Sequence, residues 1–164
     1  MPQGSILEPL MFLIYINDIV SNINSNIRLF ADDTSLYMIV DHAERTASIL
    51  QNDIVKFSDW ADSWLVTFNP SKTESLLISR KINQLNHPIL TMLNEDISEV
   101  ETHKHLGVLL SKDGTWHNHI NYIKNKAWQR INIMRKLKYT LDRKSVEIVY
   151  ASFIRPILEY ANEI

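Results

Sequence analysis

Between Asp41 and Leu65 the residues Ala43, Ala47, Leu50, Ile54, Phe57, Ala61 and Trp64 follow one another in alternating steps of four and three. That spacing traces one face of a helix, and an amphipathic helix needs another element on which to lay that face. Asp41, with Glu44 three residues on, has the form of a capping box, and Asn69-Pro70-Ser71 closes the segment in a turn.

The flanking sequence offers both helices and strands. From Ser5, a candidate N-cap, apolar residues fill nearly every side of a helix running to about Val20, which predicts burial on several faces. Its apolar run, Ile6 to Val20, is broken by Glu8, Pro9, Asn17 and Asp18 and is shorter than the roughly 20 residues of a membrane span. No basic region precedes it as in a signal peptide. After a loop at Asn22 to Asn26, the short runs Ile27–Phe30 and Ser35–Val40 surround Ala31-Asp32-Asp33-Thr34, predicting a hairpin with both aspartates at its tip.

Farther on, Glu74–Ser79, Ile89–Leu93, Ile97–Val100 and His105–Leu110 read as strands, with Asn94-Glu95-Asp96 as a hairpin loop. Beyond Asp113-Gly114, the residues Trp116, Ile120, Ile123, Ala127, Ile131, Met134 and Leu137 recur at helical spacing. A last helix is expected over Arg143–Asn162, bent near Pro156. The fold class is therefore α+β. A chain of 164 residues suits one domain, or one with a helical appendage.

With no cysteine, disulfides and thiolate metal sites are excluded, and an intracellular setting is expected. The net charge of −2 is distributed unevenly. Residues 1–103 carry 6 Lys/Arg against 14 Asp/Glu, residues 104–144 carry 10 against 2, and residues 145–164 carry 1 against 3. The basic segment, with Lys124, Lys126, Arg130, Arg135, Lys136 and Lys138 along one helix, suits contact with nucleic-acid phosphates; a solvated helix face is the alternative.

Adjacent aspartates at a hairpin tip offer hard oxygens that can share divalent cations, the arrangement used in two-metal phosphoryl transfer. Asp-Asp-Thr is also ordinary turn chemistry. The order of motifs favours the first reading. Pro2-Gln3-Gly4-Ser5, the apolar helix behind it, and Phe30-Ala31-Asp32-Asp33 resemble, in sequence and spacing, the reverse transcriptases of LINE-type, non-LTR retrotransposons. Trp64-Leu65, Phe68-Asn69-Pro70-Ser71-Lys72-Thr73-Glu74, His105-Leu106-Gly107-Val108 and Phe153-Ile154-Arg155-Pro156-Ile157-Leu158-Glu159-Tyr160-Ala161 are similar to family blocks in the same order.

The resemblance implies an RNA-directed DNA polymerase segment, with the rear of a palm over 1–111 and a helical thumb-like region over 112–164. Asp32 and Asp33 would bind two Mg2+ ions. Pro2, Gln3, Gly4 and Ser5 would line the nucleotide and template pocket, and Lys72 would contact the triphosphate or protonate pyrophosphate, unless it is simply a solvated turn residue. Phe30, Ala31, His105, Leu106, Gly107 and Val108 would lie at the primer terminus, although Leu106 and Val108 also suit a sheet core. The thumb cations would follow an RNA template and DNA primer, with dNTP as the other substrate. Trp116 and Trp128 are expected in the thumb core, with base stacking as the alternative. Nuclear action is implied as well.

Family members carry another metal-binding aspartate on a first palm strand ahead of Pro2, and Glu8 stands where they usually have glycine. The chain alone is therefore expected to lack polymerase activity and to leave an apolar sheet edge open. A non-catalytic nucleic-acid-binding remnant is the alternative function. An unrelated interaction module built on the helix Asp41 to Leu65 accounts for the periodicity but not for the ordered blocks.

Overall fold

The computed structural model describes residues 7–81 and 86–161. Ser5 and the motif Pro2-Gln3-Gly4 lie outside them. The chain packs as two compact units, one from Met1–Ser75 with Lys81–Glu99 and one from Leu76–Arg80 with Val100–Ile164. Helices alternate with small two-stranded sheets, consistent with the α+β class. Among the described residues no helix is long and apolar enough to cross a membrane.

The first unit is organised by α2 (Ala43–Trp64), the helix that the four-and-three spacing predicts. Its N-cap is His42, without a side-chain cap hydrogen bond, so the expected cap at Asp41 is displaced by one residue. Leu65 closes the other end in the left-handed conformation, φ 56°. One part of the α2 face, Ala47 and Ile54, packs with Leu90, Met92 and Ile97. Phe57 packs with Ile16 and Ile19, and with Ile27, Leu29 and Leu36 of the hairpin that holds the two aspartates. The helix is thus the spine on which both groups of small strands rest.

Helix α1 (Leu7–Ile16) runs into a 3-10 turn at Asn17–Val20. Its expected burial on several faces is corrected: Leu7, Leu10, Met11, Leu13 and Ile14 are all exposed, and of the helix and turn together Ile16 and Ile19 are buried. Among the described residues only the side turned to the α2 core is covered.

The hairpin itself is β1 (Asn26–Phe30) paired antiparallel with β2 (Asp33–Tyr37). Strand β3 (Glu74–Ser75) pairs in parallel with β6 (Ser98–Glu99), and β4 (Thr91–Met92) pairs antiparallel with β5 (Glu95–Asp96). The loop expected at Asn94-Glu95-Asp96 is therefore shifted to Leu93-Asn94, both at positive φ, 51° and 65°.

In the second unit β7 (Thr102–His105) and β8 (Val108–Ser111) form a hairpin where one continuous strand from His105 to Leu110 was expected. Leu106 and Gly107 make its turn, at φ 46° and 87°. Helix α3 (His117–Leu137) follows, then α4 (Arg143–Val149) with Asp142 capping the Ser145 amide at 3.1 Å. The bend expected near Pro156 takes the form of a π turn at Tyr150–Ile154 leading into α5 (Arg155–Glu159). Pro156 has no N–H to return to the preceding turn, and the Arg155 amide reaches back five residues to the Tyr150 carbonyl. Among the described residues of this unit the buried apolar ones are Val108, Ala127 and Ile154.

Trp116 and Trp128 are 40% and 44% exposed, so the expectation that they fill the core is overturned. Trp116, the N-cap of α3, meets the His119 ring edge-on at 6.2 Å, and Trp128 carries the Arg135 guanidinium at 5.3 Å.

Tyr160 donates a hydrogen bond to the Leu106 carbonyl at 2.6 Å and lays its ring over Gly107, where an added Cβ would stand 3.1 Å from Cε1. Gly107→Ala is expected to lower stability by about 1–2 kcal/mol, because the φ is left-handed and the tyrosine must give way. Thermal denaturation of the variant against the parent measures it, and an unchanged midpoint would show that the tyrosine yields without cost.

Candidate metal-binding hairpin

Strand alternation decides what the hairpin presents. Ile27, Leu29 and Leu36 point to the α2 core, and the alternate positions Asn26, Arg28, Phe30, Asp33 and Tyr37 are all exposed. Phe30 is 62% exposed and pairs directly with Asp33. The loop between the strands is therefore two residues, Ala31-Asp32, and Asp33 opens β2 instead of sharing the turn as expected. Of these two loop residues Ala31 alone takes positive φ, 52°, as in hairpin turns of the II′ type.

That conformation suits glycine better than alanine. Ala31→Gly is expected to stabilise the unit by about 0.5 kcal/mol, the relief of left-handed strain exceeding the added freedom of the unfolded chain. Chemical denaturation measures this, and a destabilised variant would contradict the strain.

The turn brings Phe30, Ala31, Asp32 and Asp33 together at one exposed tip. Two adjacent carboxylates supply the donor type that magnesium prefers, and that ion is commonly held by one or two carboxylates with water and substrate phosphate in its other positions. Among the described residues no group of three or more His, Cys, Asp or Glu lies together. The tip therefore fits part of a coordination shell.

The root of the hairpin holds a feature that apolar spacing alone overlooks. Asp53, on the buried side of α2 and wholly inaccessible to solvent, accepts hydrogen bonds from the Asn24 amide at 3.0 Å and the Ser25 amide at 2.7 Å. Lys56 closes the group, donating to Asp53 Oδ1 at 2.9 Å and to the Asn22 carbonyl at 2.6 Å. Burial acts most strongly on this carboxyl and opposes ionisation. The hydrogen bonds from Lys56, Ser25 and Asn24 together outweigh it and hold the pKa below the usual value. The charge thus ties the loop entering β1 to the helix. Position 53 falls three residues after Leu50 and four before Phe57, so the spacing itself marks it as inward-facing.

The other expected site residues belong to other elements. Lys72 ends a 3-10 turn, Pro70–Lys72, in which Asn69 Oδ1 accepts from the Ser71 amide at 3.1 Å, and its side chain is exposed. His105 and Val108 face each other across the β7–β8 turn made by Leu106 and Gly107, in the second unit. Val108 is buried, as the sheet-core alternative for it required. On α3, Lys124 and Arg135 are eleven residues apart and so share one side, whereas Lys136 lies round the helix from them. The Arg130 guanidinium stacks on Phe153 at 3.9 Å.

Comparison with known proteins bears on the whole pattern. The family model described as "Reverse transcriptase (RNA-dependent DNA polymerase)" matches residues 1–129. The "RNA-directed DNA polymerase from mobile element jockey" of Drosophila funebris is 27% identical over 176 residues, covering 99% of this chain and 19% of the relative. The "Probable RNA-directed DNA polymerase from transposon BS" of Drosophila melanogaster is 25% identical over 178 residues, with the same coverage of 99% and 19%. The chain thus spans about a fifth of the length of these relatives. No solved structure matches. The resemblance borne by the ordered motifs holds, and the chain belongs to the reverse transcriptase (RNA-dependent DNA polymerase) family.

Proposed function

We propose that this chain is the part of an RNA-directed DNA polymerase that carries the paired metal-binding aspartates and part of the primer and template surface. The observation that carries the reading is the two-residue hairpin loop that sets Asp32 and Asp33 side by side at an exposed tip, within a chain matched by the family over residues 1–129. Residues 1–111 would be the rear of the palm and residues 112–164 a thumb-like region.

On this reading Asp32 and Asp33 hold Mg2+, which when bound supplies charge for activating a primer 3′ hydroxyl and for stabilising the departing pyrophosphate. The chain's own residues orient the reactants. Phe30, beside Asp33 on the exposed face, offers a ring against which the primer end can rest. Ala31, at the tip, keeps the approach to the carboxylates free of bulk. Gln3 and Gly4 line the nucleotide pocket, and Lys72 contacts the triphosphate. Exposed cations of α3 meet the strand backbones without regard to sequence. The remaining metal ligands come from other parts of a protein of the relatives' length, acting in the nucleus.

The test is extension of a DNA primer on an RNA template, with dNTP and Mg2+, by a protein of the relatives' length containing this segment. Template-dependent extension that stops when EDTA is added supports the reading. A pure, folded protein that binds the hybrid but extends no primer favours a nucleic-acid-binding remnant.

A further inference from the structure

In the second unit two cations converge on one phenol. Tyr122 lies on α3 and Lys126 follows it by about one turn, with its ammonium 5.2 Å from the Tyr122 ring centroid. Lys104, from β7, reaches the same ring at 5.2 Å and donates a hydrogen bond to the phenol oxygen at 3.1 Å. The frame beneath them is fixed by polar contacts. Asn118 Nδ2 donates to Ser111 Oγ at 3.0 Å and to Thr102 Oγ1 at 3.3 Å, and the Leu109 amide donates to His119 Nδ1 at 3.2 Å. These bonds seat the first turns of α3 on the β7–β8 hairpin, so the meeting of Lys104 with Tyr122 is built into the unit. The His119 ring stacks on Tyr122 at 6.4 Å.

Both lysines are exposed, and among the described residues neither is paired with a carboxylate. A ring face attracts each ammonium by only about 0.5–1 kcal/mol at an exposed site, while two like charges drawn together repel. An anion seated between them removes that conflict. The phenol feels the same positive field: hydrogen bonding by Lys104 first, and then by Lys126, lowers the Tyr122 pKa below its ordinary value. The surrounding segment, residues 104–144, supplies 10 basic residues and 2 acidic ones, so little within it competes for the position. Arg130 and Arg135 lie on two different rings, Phe153 and Trp128, whereas Lys104 and Lys126 share one.

We infer that Lys104, Lys126 and Tyr122 form a phosphate-binding notch that takes the phosphodiester backbone of a nucleic-acid strand. The inference rests on the polymerase reading and deepens it: a preformed contact between a strand and a helix replaces a uniform basic stripe along α3. The two ammonium groups meet phosphate oxygens, and the phenol hydroxyl, turned by Lys104, donates a hydrogen bond to the same backbone.

The experiment is a fluorescence anisotropy titration of the full chain against a short labelled RNA–DNA hybrid over a series of KCl concentrations. Each phosphate contact contributes about 0.9 to the slope of log K against log salt, so Lys104→Gln/Lys126→Gln is expected to flatten the slope by about 1.8. Lys104→Arg/Lys126→Arg keeps the charge and is expected to keep the slope. An unchanged slope in the glutamine pair, with the circular dichroism of the parent, overturns the notch and leaves the polymerase reading standing. A parent chain with no affinity for the hybrid overturns both. Should the glutamine pair lose its helical signal, Lys104→Gln and Lys126→Gln decide singly, each expected to flatten the slope by about 0.9.

Discussion

Asp32→Asn is expected to reduce RNA-templated primer extension by about 10³-fold or more in a protein of the relatives' length. Asparagine keeps the size and turn preference of aspartate but loses the anionic oxygen that a magnesium ion requires. Metal stabilisation of the reacting phosphoryl group amounts to several kcal/mol, and each 1.36 kcal/mol is a factor of ten in rate. The same substitution should leave stability within about 0.5 kcal/mol, because Asp32 lies exposed in a two-residue loop. Loss of extension together with an unchanged melting temperature isolates metal binding from folding. Extension within tenfold of the parent would contradict a metal-binding role for Asp32.

Asp53→Ala is the second large effect, and it acts through the fold. The variant leaves the Asn24 and Ser25 amides without their buried acceptor and releases Lys56 from its 2.9 Å contact. An orphaned buried donor costs about 1–3 kcal/mol, so a loss of about 3 kcal/mol is expected for the group. Denaturant titration gives the value, and a loss below about 1 kcal/mol would show that water replaces the carboxylate.

The depressed pKa also fixes a sign. A carboxyl with a lower pKa folded than unfolded contributes fully above the unfolded value, near 3.9, and this contribution disappears as pH falls through the folded one. The parent should therefore lose stability on acidification below about pH 4 more steeply than Asp53→Ala.

Much of this was legible in the chain because periodic burial leaves a periodic record. The seven residues from Ala43 to Trp64 mark the helix that became the spine, and the short apolar runs around Ala31-Asp32 mark the hairpin tip. Left-handed backbone conformations leave no comparable record when leucine adopts them. Leu106, at φ 46°, hides the β7–β8 turn inside what reads as one strand, and Leu93 moves the β4–β5 loop in the same way.

Charge within an apolar pattern is hidden for a different reason. Asp53 sits on the inward face, but a carboxylate reads as surface unless its partners are known, and Asn22 to Ser25 lie about thirty residues earlier. The Lys104 and Tyr122 pair is hidden likewise, since it joins a strand to a helix eighteen residues apart. The exposure of α1, and of both tryptophans, has no sequence signal either, because apolar character does not say whether a partner covers it.

The Tyr160 hydrogen bond to Leu106 has a consequence in time. Its two ends are 54 residues apart, and at a synthesis rate of about 5–20 residues per second they emerge roughly 3 to 11 seconds apart. A lone two-stranded ribbon is marginal in water. Through that interval the Leu106 carbonyl can bond only to solvent, and the turn is free to sample other shapes until the tyrosine arrives. The order of assembly in this unit therefore runs against the order of the chain: a hairpin takes its final form from a residue made 54 positions after its turn.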